Sequence, residues 1–472
     1  MSTAILIAGL GFGDEGKGAT VDWLTRTTGA HTVVRYNGGA QAGHNVVTAD
    51  GRHHTFSQFG AGTFAGAKTH LSRHMLVNPI FLLSEGKHLL EIGEKDVYDR
   101  LTVDEGALVT NPFQVSANRI REMARNEGRH GSCGMGIGET VADSLAPETP
   151  KLYVNDLSKP GTTRTKLAAS RKQKMMELVE LHLKDCPVSN ASWNYMTLAQ
   201  TECSCPFKRE WEVIVDETTV DLALERYAEF VARVRIVRSY YLSDIMREGT
   251  TIFEGAQGML LDQDYGFHPY TTWTDITFGN ADDLLAVQRG WDTRSEGDVF
   301  VAEFLESAGF KGEVRRIGVL RSYHTRHGAG PFPTEDASLD NPEPHNANGP
   351  WQHGFRQGHF DLCLARYAVA AIGGIDELHL THLDRIQNEQ KVCVQYDSQG
   401  HIMHEPYHAE MWEWRNQLDV REGATKRMMG YKPVYRTLQY SPEGFATEIA
   451  KHMGVKIGSL AYGPTSEDRR TL

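Results

Sequence analysis

The sequence predicts an α/β protein with a large, mostly parallel central sheet, flanked by helices and carrying inserted subdomains. Short apolar runs alternate with stretches of helical periodicity, the pattern of strands covered by helices. Glycine-rich loops follow several of these runs, where α/β sheets bind their ligands. The first loop, Gly11-Phe12-Gly13-Asp14-Glu15-Gly16-Lys17-Gly18, begins with the spacing of a P-loop.

That loop follows the apolar run Ala4-Ile5-Leu6-Ile7-Ala8, a buried strand, and precedes Ala19-Thr20-Val21-Asp22-Trp23-Leu24, the start of a helix. Backbone N–H groups and the helix N-terminus would cradle an anion there, with Lys17 supplying charge, as in a P-loop-like nucleotide-binding fold. Gly18 stands where Ser or Thr would hold magnesium. Asp14 is the obvious substitute. A carboxylate beside phosphates is unfavourable unless a metal or a base proton engages it, so Asp14 reads as chemistry, not as cradle. Taken alone, the loop equally fits a tight turn with a solvated Asp–Glu pair.

The 472 residues suggest roughly three domains on length alone. A net charge of −12 excludes a general electrostatic attraction to nucleic acid, while leaving room for a local cationic pocket. No basic stretch precedes the first apolar run, and no apolar segment approaches the ~18 residues of a membrane span. The expectation is a cytoplasmic protein with neither nucleic acid nor membrane as partner. Cys133, Cys186, Cys203, Cys205, Cys363 and Cys393 are scattered, which predicts reduced thiols. Cys203-Ser-Cys205 lacks the second pair or nearby His that a metal site needs.

Along the chain, residues 31–36 read as a second strand, running into Asn37-Gly38-Gly39-Ala40-Gln41-Ala42-Gly43-His44-Asn45. Its glycines allow close approach of a ligand, and Gln41 and His44 stand among them. Residues 55–65 and 76–79 are strand and turn pieces, and 80–130 alternate between helix and strand. A third glycine-rich loop, residues 131–139, contains Ser132 and Cys133. Residues 150–215 are polar, with a helix around 172–184. Leu222, Leu224, Tyr227, Val231, Val234, Val237 and Leu242 predict one long amphipathic helix over 220–246. Residues 251–262 are a strand breaking into a glycine turn, and 268–281 are hydroxyl-rich, suited to a phosphate or to Ser/Thr turns. Residues 336–350 read as a mobile loop, 360–372 as an apolar helix and 377–384 as a strand with a polar end. The tail, 444–472, is a helix, a short strand and a turn.

Together, several of these pieces resemble adenylosuccinate synthetase. The carrying motifs are Gly13-Asp14-Glu15-Gly16-Lys17-Gly18, Ala42-Gly43-His44, Phe253-Glu254-Gly255-Ala256-Gln257-Gly258 with Leu260-Leu261-Asp262, residues 328–335, Thr381-His382-Leu383-Asp384 and Lys432-Pro433-Val434-Tyr435. The resemblance implies a homodimer of single-domain chains, 1–472, with a divergent inserted region at about 150–250. It implies a carbon–nitrogen ligase joining L-aspartate to C6 of a 6-oxopurine 5′-monophosphate. The C6 oxygen is first phosphorylated by a nucleoside triphosphate with Mg²⁺. In this reading Asp14 takes the proton from purine N1, His44 donates to the transferring phosphoryl group, and Lys17 with Gly13, Glu15, Gly16 and Gly18 stabilises the spreading charge. Asp14 and the carbonyl of Gly43 hold Mg²⁺. Gln257 and Gln41 contact the purine nucleotide, and Thr272, Ser132 and Cys133 lie at its 5′-phosphate.

The departures from the family bear on the substrate. The family's guanine-reading Thr-Lys-Leu-Asp is Thr381-His382-Leu383-Asp384 here, and its Ser-Thr-Gly-Pro is Ala461-Tyr462-Gly463-Pro464. Both changes point away from GTP as donor. In the aspartate loop, Trp351, Gln352, His353 and Arg356 align with the family's set. His353 replaces the arginine that touches the ribose 2′-OH, and Arg356 remains to meet a carboxylate, helped by Arg326 or Arg321. The arginine that crosses the dimer to the nucleotide phosphate is not evident. These changes resemble the divergent viral branch that makes 2-aminoadenine nucleotides, and favour (d)GMP with ATP or dATP. IMP with GTP is the conventional alternative. A non-catalytic nucleotide sensor or scaffold, and an unrelated P-loop NTPase, are alternatives of other classes.

Overall fold

A computed structural model describes residues 2–185, 207–286, 310–344, 346, 354–386, 389–406, 416–438 and 441–472. Thr3–Gly9 lies inside a ten-stranded sheet, between Thr250–Gly258 and Glu313–Arg321, and parallel to both. On one side the sheet continues through Thr32–Arg35, Lys68–Leu71, Leu101–Asp104 and Arg235–Val237. On the other it continues through Glu377–Thr381, Lys456–Ala461 and Arg469–Thr471, the last antiparallel.

The apolar run in Thr3–Gly9 is explained by burial on both faces. Successive side chains of a strand point to opposite faces. Ile5 and Ile7 join Val21 and Leu24 of the helix Lys17–Thr28, whereas Ala4, Leu6 and Ala8 join Leu364 of Leu362–Ala371 and Phe445 of Pro442–Met453. Because the strands run parallel, the loops leaving their carboxyl ends gather along one edge, which is where the candidate site forms.

The single helix expected over 220–246 is corrected by the structure. A helix spans Thr218–Arg233, Val234 turns extended, and Arg235–Val237 pairs with Leu101–Asp104 before a short helix at Tyr241–Ile245. The apolar spacing runs unbroken through all three pieces, but sheet pairing of Arg235-Ile236-Val237 overrides the helical period. Leu222, a residue of the expected apolar stripe, is 58% exposed. Helices Pro160–Asp185 and Lys208–Val215 share a core with Pro112–Ala124 through Leu167, Trp211, Phe113 and Ile120. No described helix is long and apolar enough to cross a membrane.

The helix expected over 360–372 begins at Leu362, because Phe360–Asp361 pairs with Val392–Cys393. Asp361 caps it, accepting from the backbone N–H groups of Cys363 (3.0 Å) and Leu364 (3.1 Å), and from the Tyr396 hydroxyl at 2.7 Å. Burial pushes the Asp361 carboxyl up to about 7, against the pull of these donors. The folded state therefore holds this proton more tightly than the unfolded chain does. Its stabilising contribution, on the order of 4 kcal/mol at most, is fully present below about pH 4 and lost as pH rises through about 7. The thermal midpoint of Asp361→Asn relative to the parent should rise between pH 5 and pH 8. A pH-independent gap would contradict this assignment. Cys133, Cys363 and Cys393 are free thiols. Cys186 and Cys203-Ser-Cys205 lie outside the described residues.

Candidate active site

The loop after the first strand takes positive φ at Gly13 (96°), Asp14 (60°) and Gly16 (89°). Asp14 is the non-glycine member, and a left-handed carboxylate inside a ligand loop is strain of the kind found at functional sites. Gly18 is explained by close approach: a Cβ there would lie 2.8 Å from the carbonyl carbon of His44 and from the Asn45 oxygen. The helix thus packs directly on the second glycine-rich loop, and a Ser or Thr would not fit.

Glu15 turns away from the ligand side. Its Oε1 accepts from the N–H groups of Gly11 (2.9 Å) and Gly13 (2.8 Å), and its Oε2 holds Lys17 Nζ at 2.7 Å. Both partners of the Glu15–Lys17 pair are buried. Glu15 is not among the cavity-lining residues, whereas Gly13, Asp14, Gly16, Lys17 and Gly18 are.

Asp14 Oδ2 faces His327 Nε2 at 3.2 Å, and its backbone oxygen accepts from Arg321 Nε. Burial works to raise the Asp14 carboxyl, but the hydrogen bond and charge of His327, with Arg321 and Lys17, hold it below its usual value. His327 moves the other way: burial pulls it down, and Asp14 carries it above an ordinary histidine.

His44 starts the short strand His44–Val47, and its Nδ1 meets Glu254 Oε1 at 2.5 Å. The other Glu254 oxygen accepts from Ala61 N–H at 3.0 Å. Burial lowers the His44 imidazole, with Glu254 opposing it. His44 Nε2 is buried with no hydrogen-bond partner among the described residues, as are both amide atoms of Gln41. Buried polar atoms are nearly always paired, so these mark where a ligand belongs.

Gln257 sits at φ 64° and donates to Thr272 Oγ1 at 3.1 Å, while Thr274 Oγ1 donates back to it at 3.3 Å. Ser132 Oγ donates to Asn118 Oδ1 at 3.0 Å, and its N–H donates to Glu122. Burial pushes the Cys133 thiol up to about 11, so it is no nucleophile at neutral pH. Thr381 Oγ1 donates to the Glu15 carbonyl at 2.7 Å, tying the first loop to the strand that carries His382. Burial lowers His382 well below an ordinary histidine, and Asp384 pairs with Arg385 at 3.0 Å.

Asp14, Lys17, Thr381, His382 and Asp384 line a cavity of about 970 Å³, together with Gln41, Gly43, His44, Ser132, Cys133, Gln257, Thr272, Ala461 and Gly463. Such a volume is at the upper end for small-molecule sites. Arg356 does not line it. That guanidinium braces the turn beside it, pairing with Glu335 at 2.8 Å and donating to the carbonyls of Gly328 and Gly330. Arg326 lies 4.2 Å over the Phe12 ring and donates to the carbonyls of Ala329 and Pro331. Trp351, Gln352 and His353 lie outside the described residues.

Sequence reasoning assigned no role to Glu254, His327 or Glu343. Glu254 and His44 are 210 residues apart, and nothing in local spacing joins them. For a magnesium ion, the Asp14 carboxylate and the Gly43 carbonyl are oxygen donors of the right type, and both line the cavity. Among the described residues only His327 hydrogen-bonds the Asp14 carboxylate, so the donor set fits the ion.

A family model described as adenylosuccinate synthetase matches residues 6–290 and 295–470. The chain belongs to the adenylosuccinate synthetase family. It is a carbon–nitrogen ligase of that type, and the family's substrates are nucleotides and aspartate. The adenylosuccinate synthetase of Mycobacterium leprae is 30% identical over 483 residues, covering 98% of this chain and 96% of that protein. The enzyme of Chlorobium chlorochromatii is also 30% identical, over 85% of this chain and 82% of its own length. The fully ligated adenylosuccinate synthetase of Plasmodium falciparum has the same fold, with TM-score 0.73 and 19% identity over 99% of each chain. A succinoaminodeoxyadenylate synthetase of cyanophage S-2L, bound to dGMP and dATP, aligns with TM-score 0.57 and 16% identity, covering 100% of this chain and 95% of that one.

Proposed function

We propose that this ligase phosphorylates O6 of (d)GMP with ATP or dATP and then installs aspartate at C6, giving 2-amino-(deoxy)adenylosuccinate. The observation that carries the chemistry is the pairing, in one cavity, of an ionised Asp14 with the unpartnered Nε2 of His44. Asp14 takes the N1 proton, which frees an O6 electron pair to attack the γ-phosphorus as the bond to the β-phosphate oxygen breaks. With Glu254 ionised behind its Nδ1, His44 takes a proton from solvent at Nε2 as the triphosphate binds and donates a hydrogen bond from it to a γ-oxygen. Lys17 leaves Glu15 for the phosphates and joins the N–H groups of Gly13, Gly16 and Gly18. Gln257 and Gln41 hold the purine nucleotide, and Thr272 and Ser132, beside Cys133, its 5′-phosphate. The neutral amine of aspartate then attacks C6, phosphate departs with the C6–O6 bonding pair, and the nitrogen gives up one proton to solvent. Mg²⁺, held by Asp14 and the Gly43 carbonyl, would supply charge neutralisation at the phosphates.

The donor preference rests on the pocket around Thr381, His382, Asp384, Ala461 and Gly463. His382 is neutral at pH 7 and lacks the cation of the family's lysine, and Ala461 has no hydroxyl. The solved cyanophage synthetase, with the same fold, holds dGMP and dATP. IMP with GTP is the competing pair. Aspartate-dependent phosphate release, measured with IMP, GMP and dGMP against ATP, dATP and GTP, should be fastest with dGMP and an adenine donor. Turnover restricted to IMP with GTP would overturn the preference. A homodimer belongs to the same reading, and light scattering at the monomer mass would remove it.

A further inference from the structure

Pro342, Glu343, Pro344 and Asn346 line the cavity, and Glu343 reaches into it. Arg321 donates from Nη1 to Glu343 Oε1 and from Nη2 to Oε2, the second at 3.3 Å. The Tyr323 hydroxyl donates to the same Oε1, and Asn346 Nδ2 donates to Oε2 at 2.8 Å. Arg321 is only 5% exposed and is fixed from behind by its Nε on the Asp14 carbonyl. Arg321 lines the cavity beside Asp14 and turns its guanidinium fork to the Glu343 carboxylate there, with the Tyr323 phenol behind the lining donating to the same oxygen, and this arrangement is a carboxylate receptor.

We infer that Arg321 and Tyr323 form the subsite for a carboxylate of the amino-acid substrate, and that Glu343 is its internal placeholder. The inference rests on aspartate being a substrate of this cavity. Glu343 shows which chemistry the subsite accepts, since its side chain carries the same carboxylate as aspartate on a chain one methylene longer. Arg356 pairs with Glu335 away from the cavity, and Arg326, which lines it, donates to the carbonyls of Ala329 and Pro331, so of the three arginines expected at a carboxylate it is Arg321 that holds one in the cavity. A buried guanidinium left without a partner would be strongly destabilising, and a resident carboxylate avoids this. When substrate enters, one carboxylate replaces another, and Arg321 is never left bare. The consequence is weaker apparent affinity: a subsite filled internally nine-tenths of the time binds its substrate about tenfold more weakly.

The test is the aspartate KM of the full chain at saturating nucleotides. Glu343→Gln should lower it by about five- to tenfold, and Tyr323→Phe, which keeps the ring, should raise it severalfold. Calorimetry with succinate, a dicarboxylate that cannot react, should show tighter binding to Glu343→Gln than to the parent. An unchanged aspartate KM with a shifted triphosphate KM would mean that the subsite holds phosphate, and would overturn the inference. So would variants that change neither. If the parent shows no aspartate-dependent turnover, the proposed reaction fails, and succinate still decides the subsite: tighter binding to Glu343→Gln upholds it, and equal or absent binding overturns it.

Discussion

Asp14→Asn should lower kcat by about 10³, within the 10²–10⁴ that a positioned general base contributes. Asparagine is close in shape and tolerates a positive φ, so the 60° backbone of residue 14 survives the change. It still accepts a hydrogen bond from His327. What it lacks is the charge that, in the proposed reaction, takes the N1 proton, and O6 of an amide-like ring is too weak a nucleophile without that step. Monophosphate binding, measured by calorimetry without triphosphate, should stay within a few-fold of the parent. A variant that keeps more than a tenth of the parent's turnover would show that another group removes the proton.

Glu254→Gln should cost about 10² in kcat with modest changes in each KM. Glu254 is fully buried behind His44, where its carboxylate orients the ring and stabilises a protonated imidazole. Removing such a partner leaves geometry nearly intact but the charge wrong, as in His–Asp pairs that orient a catalytic imidazole. Glutamine offers one carbonyl oxygen where Glu254 uses two, so it accepts from His44 or from the Ala61 N–H but not from both, and a thermal melt will register that lost hydrogen bond separately from kcat. His44→Ala should cost more, about 10³, and the double variant should be no worse than His44→Ala alone, because the two residues act as one unit. Additive losses would assign Glu254 a separate role.

Much of this site is legible in the chain itself, for physical reasons. A continuous apolar run ending in glycines reads as a buried strand feeding a tight turn, and Thr3–Gly9 is buried and leads into a turn with positive φ at Gly13, Asp14 and Gly16. The hydroxyl-rich stretch after residue 268 supplies Thr272 and Thr274 to Gln257, and Thr272 lines the cavity. The direction of Glu15 was not legible, because a turn built on three left-handed residues decides whether a side chain faces in or out. Glu254 reaches His44 from the ten-stranded sheet, and His327 reaches Asp14 from the separate pairing of His324–His327 with Phe355–Gly358, all partners distant in sequence. Arg235–Val237 failed for a different reason: sheet pairing overrode an apolar period that continued without a break.

In the proposed reaction O6 itself is phosphorylated and leaves C6 as part of the phosphate. A purine monophosphate labelled with ¹⁸O at C6 tests it directly, by mass analysis of the phosphate released during aspartate-dependent turnover. Each phosphate should carry one ¹⁸O atom, taken over when the C6–O6 bond breaks. Unlabelled phosphate, formed at the same rate with or without aspartate, would mean that the cavity hydrolyses its triphosphate with water and that O6 is never phosphorylated.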